Sequence, residues 1–153
     1  MELERLKKRT FSKKKNAIIK EYILLEKLVQ ELQNRELPPE VLVEMNVEIE
    51  HLNACLDDHP RFLSKIKSAK MLLLNNIHKN LEIVPKNYYR NLWLAIGMSA
   101  FGLPLGIVFS VIWNNYSFMA IGLPIGMSIG IALGTLLDKQ AEENNRQLEL
   151  EIT

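Results

Sequence analysis

The residues best suited to chemistry lie in the first half of the chain. Glu48 and His51 have the helical spacing of a ligand pair in a carboxylate-bridged di-metal centre. Such centres draw a second Glu-x-x-His and two further glutamates from other helices, and this chain has no second Glu-x-x-His. Asp57, Asp58 and His59 stand together before Pro60, a place where polar residues finish a helix and face water. His78 reads as a helix-end charge rather than a catalyst. Cys55 is the single cysteine, which excludes an internal disulfide and fits a reducing compartment or indifference to redox. No glycine-rich phosphate loop, no nucleophile spaced to a base and no arginine four to six residues before a histidine is present. The expectation is a protein without catalytic, metal or cofactor residues.

Elements that would position any site are organised around Leu92 to Leu137, 46 consecutive residues without a charged side chain. This stretch reads as two apolar spans, 92–113 and 118–137, each reaching the ~20 residues an α-helix needs to cross a hydrocarbon core. Only Asn114-Asn115-Tyr116-Ser117 separates them. A linker that short reverses the chain, which predicts an antiparallel helical hairpin with its backbone polar groups satisfied inside each helix.

In the second span small and large residues alternate from Ala120 to Gly134. Period two suggests a strand, but the internal Pro124 opposes one and a lone hairpin cannot close a lipid-facing sheet. On a helix the small residues fall on two opposite faces, Gly122, Gly126, Gly130 and Gly134 on one and Ala120, Pro124, Ser128 and Ala132 on the other. Such stripes let backbones approach in lipid. A symmetric turn at 114–117 pairs Gly102 with Gly130, Gly106 with Gly126, Ser110 with Gly122 and Met98 with Gly134, which assigns the glycine face to the hairpin. The opposite face is left for self-association. Pro104 and Pro124 should kink the two helices and free the carbonyls of Ala100 and Ala120, for which Ser99, Ser128 and Thr135 are the nearby donors.

The connector into the membrane runs from 84 to 91. Lys86 and Arg90 form a positive flank, Tyr88, Tyr89 and Trp93 suit an interfacial aromatic belt, and Trp113 with Tyr116 suits the opposite one. The run Val84 to Trp93, followed by Gly-Leu-Pro-Leu-Gly at 102–106, Gly-Leu-Pro-Ile-Gly at 122–126 and Asp138-Lys139, resembles small bacterial membrane proteins known only as glycine-zipper proteins. The likeness covers about residues 84–148 and implies close helix packing in a membrane, with no specific activity.

A formal net charge of +1 conceals strong blocks. Residues 1–20 carry eight basic and two acidic side chains, 21–58 two and ten, 59–90 seven and one, and 138–153 two and five. Within the basic arm, 1–15, lie Arg5, Lys7, Lys8, Arg9, Lys13, Lys14 and Lys15. Beside a membrane such a run is drawn to anionic headgroups by about 1 kcal/mol per charge. Without an aromatic cluster to stack bases, lipid is the expected contact and nucleic acid is not.

Ile18, Tyr22, Leu25, Val29 and Leu32 step by four and three along a helix from Asn16 towards Leu37. Pro38-Pro39 ends it and opens a second, from Pro39 to about Asp57, with Leu42, Met45, Ile49 and Leu52 inward. A third, from about Arg61 to Lys79, turns Phe62, Ile66, Ala69, Leu73 and Ile77 inward. The predicted fold is all-α: a cytoplasmic three-helix bundle in 16–83, then the transmembrane hairpin in 92–137 with glycine-zipper packing. A cytoplasmic tail, 138–153, is helical to about Gln147; its end, 148–153, could form a short strand but is expected to fray.

Lys79, Lys86, Arg90, Lys139 and Arg146 all lie on the side of the two termini, and the 113–117 loop has no basic residue, which predicts both termini in the cytoplasm of a bacterial inner membrane. The expected role is a non-enzymatic, self-associating membrane protein that recruits or assembles with a cytoplasmic protein partner. The alternative is a membrane-permeabilising effector or small channel gated by the cytoplasmic helices.

Overall fold

The computed structural model describes residues 2–11, 16–56 and 59–152. The described residues form helices α1 (Asn16–Gln33), α2 (Pro39–Ala54), α3 (Phe62–Leu81), α4 (Tyr88–Gly97), α5 (Leu103–Ile112) and α6 (Met119–Glu143), with no strand. A π-helical turn, Met98–Gly102, joins α4 to α5 without a break, and a 3-10 turn, Tyr116–Phe118, precedes α6. Two compact units result, Met1–Val84 with Leu148–Thr153, and Pro85–Gln147.

In the first unit the apolar steps of each helix become its buried face. Tyr22, Leu25, Leu28, Val29 and Leu32 of α1 meet Val41, Leu42, Met45, Ile49 and Leu52 of α2 and Phe62, Ile66, Ala69, Leu73 and Ile77 of α3 in one core. α1 stops at Gln33, short of Leu37, because the residue before Pro38 is steered out of the helical region and the chain has to turn. α2 stops at Ala54 rather than near Asp57. Its last carbonyls, Leu52 O and Asn53 O, with the following Cys55 O, accept from the Arg9 guanidinium at 2.8, 3.1 and 2.8 Å. A cation there also suits the helix dipole. α3 ends where Glu82 adopts a left-handed conformation, φ 54°, and returns its N–H to His78 O. The ion pair of Lys70 with Glu21, 2.6 Å, ties α3 to α1.

Residues 2–11 are not a free basic arm. They run as an extended strap over the helices, with Leu3 and Leu6 buried in the core and Phe11 packed against it. Lys13, Lys14, Lys15, Asp57 and Asp58 lie outside the described residues. The tail does not fray either. Leu148, 1% exposed, sits in the first unit's core, its N–H donates to Val84 O at 2.8 Å, and Glu149 N–H donates to the Glu31 carboxylate at 2.7 Å. Burying one large apolar side chain outweighs the fraying expected of a polar end. The tail's helix closes at Glu143, ahead of Asn145 at φ 55°.

Candidate functional site

The second unit holds two continuous helical stretches, Tyr88–Ile112 and Tyr116–Glu143, of 25 and 28 residues, each long and apolar enough to cross a membrane. They lie antiparallel, and the residues buried between them are Gly97, Gly102, Gly106 and Ser110 on the first and Gly122, Gly126, Gly130 and Gly134 on the second. Backbone meets backbone along this seam. A β-carbon on Gly126 would lie 2.5 Å from the Gly102 nitrogen, and one on Gly97 would lie 2.8 Å from Gly130 Cα. Real β-carbons do not come so close, so the approach requires glycine on both sides.

The register differs from the one a symmetric turn predicts. Gly122 abuts Gly102 and Gly106 instead of Ser110, Gly126 abuts Gly97 and Gly102 instead of Gly106, Gly130 abuts Trp93, Leu94 and Gly97 instead of Gly102, and Gly134 abuts Tyr89 and Arg90 instead of Met98. The cause is in the loop. Asn115 N–H reaches back to Ser110 O at 3.0 Å, and Trp113 packs against Phe109 and Phe118 with centroids 5.4 and 5.0 Å away. The returning chain therefore descends beside the last turns of α5, and Met119, the first residue of α6, faces Gly106. Met98 falls in the π turn and is half-buried; Ser110 is buried, its hydroxyl donating to Ile107 O at 2.8 Å.

Gly97 carries the part of the seam that spacing alone hides. It precedes Gly102 by five residues, whereas every other step is four. In an α-helix a five-residue step rotates a side chain well off the face. The π turn at Met98–Gly102 absorbs the extra residue and returns Gly97 to the seam. Pro104 follows in the first turn of α5, and Pro124 sits inside an unbroken α6. The hydroxyls of Ser99, Ser128 and Thr135 do not serve the carbonyls freed by these prolines. They donate to Ala95 O, Pro124 O and Ile131 O at 3.0, 2.8 and 2.7 Å, each within its own helix.

Asp138 closes the open end of the hairpin. Its carboxylate, 7% exposed, accepts from the N–H groups of Tyr89 at 3.0 Å and Arg90 at 2.9 Å. The α4 N-cap, Asn87, has no capping side-chain bond, so a residue from α6 supplies the cap across the seam. Gln147 donates to the Asp138 carbonyl at 3.2 Å. In the sequence Asp138 is simply the first charge after Leu137; its burial opposite a helix start is visible in three dimensions alone.

The outer faces of both helices carry large apolar side chains. Leu103, Ile107, Val111, Ile121, Met127 and Leu136 are among the exposed ones, and Ala120, Pro124, Ser128 and Ala132 are exposed between them. Tyr88 and Lys86 are exposed and Tyr89, Arg90 and Trp93 half-buried at one end; Trp113 and Tyr116 are exposed at the other. Of the arm's charges, Arg5, Lys7 and Lys8 are exposed, while Arg9 is committed to the end of α2 and stacks over Phe62 at 4.8 Å. Glu48 and His51 line a shallow cleft with Arg61, Ser64, Lys65 and Ser68, and no group of three metal-ligating side chains occurs among the described residues. No protein-family model, curated protein or solved structure matches the chain.

Proposed function

We propose that this is a non-enzymatic integral membrane protein whose hairpin spans a bacterial inner membrane with both termini in the cytoplasm. The observation that carries the reading is the pairing of a glycine seam within the hairpin with a continuous outer surface of large apolar side chains. A patch of that extent needs lipid around it. In lipid, apolar area gives no drive for helix association, so close contact across small residues has to hold the helices together. In this reading α1, α2 and α3 act as a three-helix bundle that recruits a cytoplasmic protein partner. The exposed face Ala120, Pro124, Ser128 and Ala132 serves self-association, and the interior face is a glycine zipper. The exposed Arg5, Lys7, Lys8, Lys86 and half-buried Arg90 are the groups left for anionic headgroups.

The channel alternative draws no support from the hydroxyls of Ser99, Ser110, Ser128 and Thr135, which donate to carbonyls of their own helices, and no charged side chain stands among them to select ions. Topology is tested by Asn115→Cys in intact cells. An impermeant thiol reagent applied from outside should label it; labelling only after lysis overturns the orientation. Self-association is tested by particle mass in mild detergent, where Ser128→Leu and Ala132→Leu should lower the mass while leaving the hairpin folded. An unchanged mass removes that face from the proposal.

A further inference from the structure

The strap is held by a repeated device. Asn46 accepts from Glu4 N–H at 2.8 Å and donates to Glu2 O at 3.1 Å, while Asn53 accepts from Lys7 N–H at 2.8 Å and donates to Arg5 O at 3.0 Å. The two asparagines are seven residues apart on α2, two helical turns, so their amides stand in a row. Each grips an N–H and the carbonyl two residues before it, which is the pattern one strand presents to another. From the other side Gln33 donates to Leu3 O at 2.9 Å and the Tyr22 hydroxyl donates to Lys7 O at 2.6 Å. Backbone is gripped at five of the strap's residues, Glu2 to Arg5 and Lys7, without regard to side chain.

Side chains supply the rest of the recognition. Leu3 and Leu6 enter the core, Arg9 places its guanidinium on the carbonyls at the end of α2 and over Phe62, and Phe11 meets Tyr22 edge-on at 5.3 Å. The occupant is thus an extended segment with the pattern Leu-x-x-Leu-x-x-Arg-x-Phe. Its basic character complements residues 21–58, which carry ten acidic and two basic side chains. Backbone-directed amides with side-chain pockets at intervals are how a groove receives an extended peptide.

We infer that α1 and α2 form a peptide groove and that its second occupant is the N-terminal segment of another copy of this chain. Every bond just described is indifferent to whether the strap arrives in cis or in trans, and an identical segment is present on every copy. Exchange of an identical element between protomers is a low-cost route to association. This surface is independent of the Ala120 face and of the membrane reading.

The test uses full-length protein. A photo-reactive benzoylphenylalanine at the exposed Lys8 of one copy is mixed with a tagged second copy. Cross-linked heterodimer is expected, reduced at least tenfold when the tagged copy carries Asn46→Ala and Asn53→Ala, and retained when both copies carry Ser128→Leu. In parallel, a labelled peptide of residues 2–11 should bind a full-length chain whose own strap is weakened by Leu3→Asp and Arg9→Glu. It should bind the wild-type chain at least tenfold less well, because the tethered strap competes at high effective concentration. Cross-links confined to single chains overturn the exchange even if the strap-weakened variant does not fold. Peptide binding unaffected by the asparagine substitutions overturns the groove.

Discussion

Replacing Gly126 with alanine adds one methyl group where two backbones touch. Its β-carbon would lie 2.5 Å from the Gly102 nitrogen and 2.6 Å from Gly102 Cα. Carbon atoms settle at about 3.5–4.0 Å, so the helices have to part locally by about 1 Å. A gap of that order forfeits about a quarter to a half of each lost contact's attraction, and overpacking of a close interface costs about 1–3 kcal/mol. Alanine returns about 1 kcal/mol through its better helix propensity. The net expectation is a loss of up to about 2 kcal/mol, about 1 kcal/mol at mid-range. Gly102→Ala is the matched control, because its β-carbon would meet Gly122 O at 3.2 Å and Leu123 Cα at 3.3 Å. There a shift of a few tenths of an ångström suffices, and strain and propensity should cancel to within about 0.5 kcal/mol. Reversible unfolding in mixed micelles, followed by the fluorescence of Trp93 and Trp113, measures both. Equal effects at the two positions would refute the backbone-contact reading of the seam.

Two further substitutions probe the polar contacts. Asp138→Ala should strip the first turn of α4 of its cap, lower hairpin stability by about 0.5–2 kcal/mol and speed amide exchange at Tyr89 and Arg90; unchanged protection at those two amides would show that Asp138 is not the cap. In the first unit the hydrogen bond from Lys70, helped by the charges of Lys70, Lys67 and Lys20 and opposed by burial, holds the Glu21 carboxyl below its ordinary 4.5. A depressed carboxylate contributes its stability above the unfolded value and loses it as pH falls through the folded one, so this contribution should fade below about 4.5. Glu21→Gln should cost about 1–3 kcal/mol at neutral pH by leaving the buried Lys70 ammonium without its counter-charge, and should flatten the acid limb of a stability-against-pH curve; an acid limb identical to wild type would sink the assignment.

What was legible in the sequence was whatever repeats with a helical period. The steps of four and three picked out Tyr22, Leu25, Val29 and Leu32, and likewise Phe62, Ile66, Ala69, Leu73 and Ile77, all of them buried. The absence of charge from Leu92 to Leu137 marked both apolar helices, and the four-residue glycine step marked the buried face of α6. Position along that face was not legible, because it depends on how Asn114 to Phe118 fold back over α5. Gly97 was hidden by a five-residue step that only a π turn brings into line. The strap was hidden for another reason. Asn46 and Asn53 recognise backbone, which has no sequence, so the arm read as a run of charges although its apolar minority and Arg9 dock it.

The place of Leu148 in the first unit's core has a consequence in time. During synthesis Val84 is added 64 residues before Leu148, so at about 5–20 residues per second the core waits roughly 3–13 s for its last side chain. Throughout that interval both apolar helices are being made while the surface that Leu148 will cover stays open to water or to a chaperone. The first unit is therefore completed only after the hairpin has been translated, and the order in which a ribosome delivers the chain becomes part of how the protein is assembled.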